Sequence, residues 1–227
     1  MNIEILTLFP KMFDGPFSES IIKRAIEKGI VKIKIHNLRG WADDKHKTVD
    51  DTPYGGGAGM VIRVDIIDRA LRALKLKIKN EKVKTILLTP SGKPFNQKKA
   101  RSLSKHKHLI FLCGHYEGFD ARVENLVDEQ ISIGDYVLTG GELPAAVMVD
   151  AIVRLLPGVV GKKESVENES FTKDLLDYPV YTKPEKYQKS IVPKVLLSGD
   201  HQKIAEWRFV KAKEKTKRFR PDLLNKN

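Results

Sequence analysis

The sequence has few of the features that mark secreted or membrane proteins. Cys113 is its only cysteine, so no disulfide can form within the chain, and we expect a buried thiol in a reducing compartment. No window holds the roughly 18 consecutive apolar residues that a membrane-spanning helix needs. The first residues, MNIEILTLFPKMF, have neither the basic leader nor the cleavage site of a signal peptide. These absences predict a cytoplasmic protein.

The common nucleotide, metal and hydrolase signatures are also missing. GGGAGM (55–60) fails the dinucleotide-binding pattern because Met60 stands where the last glycine belongs, and no phosphate-binding loop of the Gly-Lys type occurs. His106 and His108 lie in a basic run without a nearby cysteine, so we expect no zinc site there. No motif places a histidine beside a serine in the arrangement of a hydrolase triad.

Positive charge, by contrast, is abundant and unevenly distributed. Lysine and arginine exceed aspartate and glutamate by 41 to 29, and residues 171–227 hold 14 basic and seven acidic side chains. Such an asymmetry indicates a polyanionic partner. Within it, residues 203–220 interleave basic side chains with Trp207, Phe209 and Phe219, which suits phosphates and unstacked bases. The same pattern is also typical of a solvated amphipathic helix, and the stretch alone does not decide between the two.

Hydrophobic periodicity predicts alternating strands and helices. The strands are predicted at NIEILTLF, IVKIKIH, KTILLTP, HLIFLCG, QISI and YVL. The helices are predicted at SESIIKRAIEKG, VDIIDRALRALK, NQKKARSLSK, FDARVENLVD and ELPAAVMVDAIVRLLPG. This alternation predicts an α/β protein with a largely parallel sheet and helices on both faces.

The composition changes after Gly158, where apolar residues become fewer and charged residues more frequent. We therefore expect a main domain over residues 1–158, a flexible linker over 159–175, and a small, basic, helical domain over 176–227. Asp200 is the predicted N-cap of the main helix in that last domain.

Three glycine-containing loops follow apolar strands. They are LTPSG (88–92), CGHYEGFD (113–120) and IGDYVLTGGELP (133–144). The carboxyl ends of parallel strands meet at one edge of a sheet, where ligands bind, and glycine lets a ligand approach the backbone closely. Each loop alone is more simply a tight turn, but the three together predict a ligand site.

The helix predicted at 142–156 is apolar except for Asp150 and Arg154. Their spacing of four fits a helical ion pair that stabilises by about 0.2–0.5 kcal/mol. A helix this apolar should, however, be covered on most sides, and a covered arginine then needs an anionic partner. The sequence leaves both interpretations open.

Six segments in a fixed order resemble one enzyme family. They are HKTVDDTPYGGGAGMV, LTPSGKPFNQ, CGHYEGFDARV, SIGDYVLTGGELPA, RLLPGVVG and LLDYPVYTKPEKY. They resemble the bacterial tRNA (guanine-N1)-methyltransferases of the knotted SPOUT superfamily, which methylate the guanine just 3′ of the anticodon. The resemblance covers nearly the whole chain.

The resemblance implies a deep C-terminal trefoil knot within the α/β domain, which binds S-adenosylmethionine largely through backbone groups. It also implies a tRNA substrate, bound by the basic C-terminal domain, and a homodimer whose active sites use both subunits. Mg²⁺ is suggested too, although no ligand set for it stands out in the sequence. By position, the implied cofactor-binding residues are Pro90, Gly114, Tyr116, Glu117, Ile133, Gly134, Asp135, Tyr136, Val137, Leu138, Gly140 and Gly141.

The implied chemistry needs two side chains beside the guanine. Its N1 is a poor nucleophile until it loses a proton, so a general base must lie near N1 and a cation or donor near O6. The resemblance assigns the second role to Arg154 and the first to an aspartate whose position is occupied here by Glu169. Glutamate keeps the carboxylate but moves it by one methylene, and Glu167 and Asp174 are the alternative carboxylates.

Other roles and other functions remain open. His46 and Asp50 lie in a segment that resembles the family's loop near the target guanine and are candidates for contacts with the base or the tRNA. The segment alone is equally typical of an exposed turn. The alternative functions are a related methyltransferase acting on ribosomal RNA and a non-catalytic RNA-binding relative, which the glutamate at position 169 would favour.

Overall fold

A computed structural model describes residues 1–78, 82–161, 169–172 and 174–224. Within it the chain divides into two compact units, Met1–Gly161 and Lys162–Asn227. Part of the predicted linker, residues 162–168 and 173, lies outside the described residues. The two units are described separately below.

The first unit is built on a five-stranded parallel sheet. The strands of the unit, including two outside this sheet, are β1 (Asn2–Thr7), β2 (Lys32–Asn37), β3 (Asp50–Asp51), β4 (Val61–Ile62), β5 (Val83–Pro94), β6 (His108–Cys113) and β7 (Glu129–Ser132). The sheet has the order β2-β1-β6-β5-β7, and β3 and β4 form a separate antiparallel pair. All four pairings within the sheet are parallel, which confirms the predicted α/β class.

The described residues of this unit form the α-helices α1 (Asp14–Phe17), α2 (Ser20–Glu27), α3 (Val64–Lys77), α4 (Gln97–Leu103) and α5 (Glu142–Val153). Shorter 3-10 segments span Pro10–Phe13, Leu38–Trp41 and Ala121–Leu126. No helix within the described ranges is long and apolar enough to cross a membrane.

Alternate side chains of the central strands enter two separate cores. Ile3 and Phe111 pack on one face with α2, α4 and α5. Leu6, Ile110 and Leu112 pack on the other face with α3 and two of the 3-10 segments. This alternation follows from the two-residue repeat of a strand. Both faces are therefore covered by helical elements, as predicted.

Strand β5 extends to Pro94, beyond the predicted end, because it pairs with β7 twice. The register shifts between Leu88 and Lys93, so the residues between them leave the regular ladder. Gly92 lies in this irregular part, where a Cβ would be 2.6 Å from the carbonyl carbon of Gln130. Only glycine fits so close to the neighbouring backbone. The residues between Leu88 and Lys93 therefore form a loop within β5.

Two predicted elements differ from the structure. The segment FDARVENLVD forms only the 3-10 turn Ala121–Leu126, in which Val123 alone is buried. One buried side chain does not make the continuous apolar stripe that supports a full α-helix. The segment YVL (136–138) is not a strand but part of an irregular loop. Its side chains face solvent rather than a neighbouring strand.

The second unit is small and mainly helical. It contains the hairpin strands β8 (Lys186–Tyr187) and β9 (Ser190–Ile191), the short helix α6 (Lys194–Leu197), the long helix α7 (His201–Phe219) and a 3-10 turn, Pro221–Leu223. Asp200 caps α7, and its side chain accepts a hydrogen bond from the amide of Lys203 at 3.1 Å, as predicted. The amide of Leu176 donates to the buried hydroxyl of Thr216 at 2.9 Å, which fixes the preceding chain on α7.

Candidate active site

A cavity of about 370 Å³ lies where β5, β6 and β7 end. The three loops that leave these strands form its walls, at the edge of the sheet where the sequence predicted a ligand site. The described residues that line the cavity fall within 87–90, 114–121, 124, 131–134, 136–141 and 144.

Most of the residues expected to bind the cofactor come together in this cavity. Asp135 is not among the described residues that line it, and neither are Arg154, Glu169, His46 and Asp50. The residues that do line it are Pro90, Gly114, Tyr116, Glu117, Ile133, Gly134, Tyr136, Val137, Leu138, Gly140 and Gly141.

Backbone contacts join two of the cavity loops directly. The amide of Gly141 donates a hydrogen bond to the carbonyl of Gly114 at 2.8 Å, and His115 pairs with Gly140 in an antiparallel arrangement. A Cβ on Gly141 would lie 2.7 Å from the Cα of Cys113. The adjacent glycines before α5 are therefore explained by close passage of one loop against another, which a single helix cap would not require.

The cavity wall exposes side chains that are usually buried. Tyr116, Tyr136, Val137 and Leu138 are all exposed to solvent although they are large and apolar. Tyr116 also has a φ of 58°, a left-handed conformation that is unusual for an aromatic residue. Backbone strain and exposed apolar surface that occur together in a concave site are typical of ligand binding.

Two ionisable groups in or next to the cavity have pKa values shifted in opposite directions. Hydrogen bonds from the Arg122 guanidinium hold the pKa of Asp120 at about 2, so this cavity residue is a carboxylate at neutral pH. Burial raises the pKa of the Cys113 thiol, which is fully buried as predicted and is therefore a poor nucleophile. The described part of the chain contains no group of three or more His, Cys, Asp or Glu side chains that could hold a metal ion.

The segment that carries Asp50 is attached to the same cavity loop. Asp50 pairs with Ile62 between β3 and β4, and the amide of Ile62 donates to the carbonyl of Gly118 at 2.9 Å. The amide of Glu117 donates in turn to the carbonyl of Met60 at 3.1 Å. His46, four residues before Asp50, is exposed.

The two expected catalytic residues belong to different units. Arg154 is the C-cap of α5 in the first unit and is partly buried. Glu169 is partly buried in the second unit, next to Ser170, whose hydroxyl donates to Asp177 at 3.0 Å. Glu167, an alternative base, lies outside the described residues.

Two polar residues in or beside this site were given no role from the sequence. His115 lines the cavity, and Glu142, the first residue of α5, is only 1% exposed. An acid in the first turn of a helix is ordinarily exposed and favoured by the helix dipole. The pattern therefore gave no sign that this glutamate is buried.

Comparison with known proteins identifies the family of the chain. The family model described as tRNA (Guanine-1)-methyltransferase TrmD matches residues 1–226. The chain belongs to this family.

Relatives named tRNA (guanine-N(1)-)-methyltransferase match nearly the whole chain. The protein from Dictyoglomus turgidum (strain DSM 6724 / Z-1310) is 54% identical over 226 residues, which are 100% of this chain and 91% of that protein. The protein from Geobacter sp. (strain M21) is 52% identical over 226 residues, 99% of this chain and 90% of that protein. The protein from Clostridium novyi (strain NT) is 56% identical over 223 residues, 98% of this chain and 91% of that protein. These matches confirm the resemblance to the tRNA (guanine-N1)-methyltransferases that the six sequence motifs predicted.

Proposed function

We propose that the protein transfers the methyl group of S-adenosylmethionine to N1 of the guanine just 3′ of the anticodon of tRNA, in the cytoplasm. Family membership over residues 1–226 supports the enzyme class and the substrate. The observation that carries the proposal is the cavity formed by three glycine-containing loops, lined by eleven of the twelve residues expected to bind the cofactor.

The cavity fits S-adenosylmethionine in size and in chemistry. Its volume of about 370 Å³ falls in the range of small-molecule sites, roughly 300–1,000 Å³. Tyr116, Tyr136 and Leu138 offer apolar surface for an adenine ring, and the carboxylate of Glu117 complements a positive charge. When bound, S-adenosylmethionine supplies a methyl group on a positively charged sulfur. The trefoil knot is part of this proposal, and the direct contact between Gly114 and Gly141 supports it.

Side chains of the protein remove the proton from guanine N1 and stabilise the negative charge that develops on O6. We assign to Glu169 the removal of the proton from guanine N1, and to Arg154 the stabilisation of the negative charge that develops on O6. Stabilisation of this second kind is often the largest contribution in an active site. His46 and Asp50 remain candidates for contacts with the tRNA near the target base.

A homodimer is the second part of the proposal. Helix α5 buries Met148 and Val149 in the core, yet Leu143 is 50% and Val147 is 51% exposed. These two residues are four apart, so they lie on one face of the helix. An uncovered apolar stripe of this kind is typical of a protein interface. We propose that a second copy of the chain covers it.

The second unit is the proposed tRNA-binding domain. The guanidinium of Arg208 lies 4.8 Å from the centre of the Tyr178 ring, and the ammonium of Lys213 lies 4.8 Å from the centre of the Phe209 ring. Phe209 and Phe219 are exposed on α7, where no core requires them. Exposed aromatic rings beside cations suit unstacked bases and phosphates. This arrangement favours RNA binding over a merely solvated helix.

The proposed reaction is tested by methyl transfer to unmodified tRNA transcripts. We expect transfer to transcripts with guanine beside the anticodon and none when that base is adenine. Ribosomal RNA fragments should not accept the methyl group. Transfer to ribosomal RNA but not to tRNA would favour the related rRNA enzyme instead.

The role of Glu169 is tested with a matched carboxylate from the same segment. Glu169→Gln should lower turnover at least about a hundredfold, because it removes the base. It should leave tRNA affinity within about twofold. Asp174→Asn is the control, since asparagine also accepts the positive φ of 54° at that position. Near-normal turnover of Glu169→Gln would transfer the role to Asp174 or Glu167.

A further inference from the structure

A buried carboxylate lies where β1 meets the start of α5. Oε1 of Glu142 accepts a hydrogen bond from the hydroxyl of Thr7 at 2.6 Å. Thr7 is fully buried, and its hydroxyl oxygen accepts from the amide of Phe9 at 2.8 Å. The single hydroxyl proton of Thr7 is thus committed to Glu142. The other carboxylate oxygen, Oε2, is buried and has no hydrogen-bond partner among the residues that the structure describes.

A second unsatisfied polar atom faces the same place. Nδ1 of His115 is also buried without a hydrogen-bond partner in the described chain. It lies 2.6 Å from the position that a Cβ on Gly140 would take, and Oε2 of Glu142 also lies against that position. A carboxylate oxygen that needs a donor and a ring nitrogen that can supply one therefore share one small space beside Gly140. Buried polar atoms are rarely left unsatisfied.

One proton on Nδ1, shared through a single water molecule beside Gly140, would satisfy both atoms. In a neutral imidazole only one nitrogen carries a proton, so Nε2 then keeps its lone pair. The ring is held in place, since its centre lies 4.6 Å from that of Phe9 and 4.8 Å from that of Tyr116, which it meets edge-on. A carboxylate acceptor on the Nδ1 side would therefore favour the tautomer with its proton on Nδ1.

We propose that Glu142 is a positioning residue that holds His115 in the Nδ1–H tautomer, so that Nε2 offers a hydrogen-bond acceptor to the ligand of the cavity. His115 lines the cavity, so its tautomer decides whether the wall accepts or donates a hydrogen bond there. The partner is a donor of the cofactor: its ammonium group, a ribose hydroxyl or the adenine amine. The identity of this ligand rests on the proposed function, whereas the tautomer does not.

The tautomer can be measured on the full-length protein without ligand. Long-range ¹H–¹⁵N spectra of histidine-labelled protein distinguish a protonated ring nitrogen from one with a free lone pair. We expect the wild-type His115 to carry its proton on Nδ1. In Glu142→Gln the carboxamide oxygen still accepts from Thr7, and its NH₂ group faces Nδ1, so the proton should move to Nε2.

Glu4 provides a matched control on β1, the strand that carries Thr7. Glu4 is a buried glutamate of β1 that pairs with His36, and neither residue lines the cavity. Glu4→Gln removes the carboxylate from an existing glutamate–histidine contact elsewhere in the same sheet. It should change the spectrum of His36 and leave that of His115 unchanged.

Calorimetry with S-adenosylmethionine tests the consequence for the ligand. Glu142→Gln should raise the dissociation constant about tenfold, the size of one lost hydrogen bond and a misdirected donor. The KM for the cofactor should rise while the KM for tRNA stays constant. Glu4→Gln should stay within about twofold of wild type. His115→Phe keeps the ring contacts but removes the acceptor, so it should weaken cofactor binding similarly, and it serves as the test if Glu142→Gln does not fold.

The outcomes separate the two proposals. A wild-type His115 protonated on Nε2, or on both nitrogens at neutral pH, overturns the inference. Unchanged cofactor affinity in both Glu142→Gln and His115→Phe overturns the ligand contact. If the wild type binds no S-adenosylmethionine, the proposed function fails and the ligand contact fails with it, while the spectra alone decide the tautomer.

Discussion

The amide of Gly141 donates a hydrogen bond to the carbonyl of Gly114 at 2.8 Å. Gly141 immediately precedes α5, and Gly114 immediately follows β6. This backbone contact joins the two cavity loops, and at Gly141 the space for a side chain is occupied by the backbone of Cys113 and Gly114.

Gly141→Ala should therefore damage the cavity. The added Cβ would lie 2.7 Å from the Cα of Cys113 and 2.9 Å from the amide nitrogen of Gly114, and backbone cannot yield as a flexible side chain does. We expect a loss of about 1–3 kcal/mol in the free energy of unfolding, the usual cost of overpacking. Affinity for S-adenosylmethionine should fall at least about tenfold, as measured by calorimetry.

Gly15→Ala is the control for this substitution, because Gly15 is an exposed residue of α1 and nothing lies within 4 Å of its Cβ position. It should change neither stability nor affinity appreciably. Equal effects of the two substitutions would show that the close passage at Gly141 is not what shapes the site.

The sheet and the position of the site could be predicted from the sequence because they depend on local patterns. Apolar runs such as HLIFLCG mark buried parallel strands, and the glycines that follow them mark loops with close backbone contacts. The wrong prediction of a strand at YVL (136–138) also came from a local pattern. Its β-prone side chains are typical of a strand, but at this position Tyr136 and Leu138 line a cavity instead of pairing.

The assignment of polar residues within the site is less accessible to sequence analysis. The burial of Glu142 depends on Thr7, which is 135 positions away in the chain. No local periodicity contains that information. The roles of Arg154 and Glu169 came from resemblance alone, because one belongs to each unit and no spacing relates them.

The stability of the second unit should depend on pH through Asp177. Its carboxylate accepts hydrogen bonds from Lys215 at 2.9 Å and from Ser170 at 3.0 Å. The hydrogen bond from Lys215 holds the pKa of Asp177 below its usual range. A carboxyl with a lowered pKa in the folded state stabilises above its unfolded pKa of about 3.9, and this contribution is lost as the pH falls through the folded value.

Asp177→Asn should accordingly lower the free energy of unfolding at pH 7, by no more than about 1 kcal/mol because the pair is partly exposed. The difference from wild type should shrink towards pH 3. Urea unfolding followed by the fluorescence of Trp207, in a Trp41→Phe background, measures both values. A difference that persists undiminished at pH 3 would exclude the charged pair as its cause.

The affinity for tRNA should fall steeply with salt, and one lysine of α7 should account for a defined part of the slope. Lys213 lies over the Phe209 ring, whereas Lys211 is paired with Glu214 at 2.6 Å. Lys213→Gln should reduce the slope of log K against log salt by about 0.7, the value for one phosphate of a single strand. Lys211→Gln should change it less, because Glu214 already neutralises that charge. If both substitutions changed the slope equally, the affinity would depend on the overall positive charge of α7 rather than on individual lysine–phosphate contacts.

The exposed stripe on α5 predicts a dimer that a single charge disrupts. Val147→Asp places a carboxylate in the middle of the apolar stripe, where a partner would bury it without a counterion. The dimer dissociation constant, measured by sedimentation, should rise at least about a hundredfold. Leu76→Asp is the control, because Leu76 is 77% exposed on α3 and lies outside the stripe. Dissociation by both variants would point to general destabilisation instead.

Mixing two inactive variants tests whether the proposed active site uses both subunits. Arg154→Gln and Glu169→Gln should each be nearly inactive alone, since each lacks one of the two groups that the reaction needs. If a site takes Arg154 from one subunit and Glu169 from the other, each mixed dimer has one site with both residues intact and one site with neither. Random exchange makes half of the dimers mixed, so the mixture should recover about a quarter of the wild-type activity.

If both residues came from the same subunit, no site in any dimer would be intact and the mixture would stay inactive. Recovery of activity would therefore assign the two residues to different subunits, a relationship that a single copy of the chain cannot reveal.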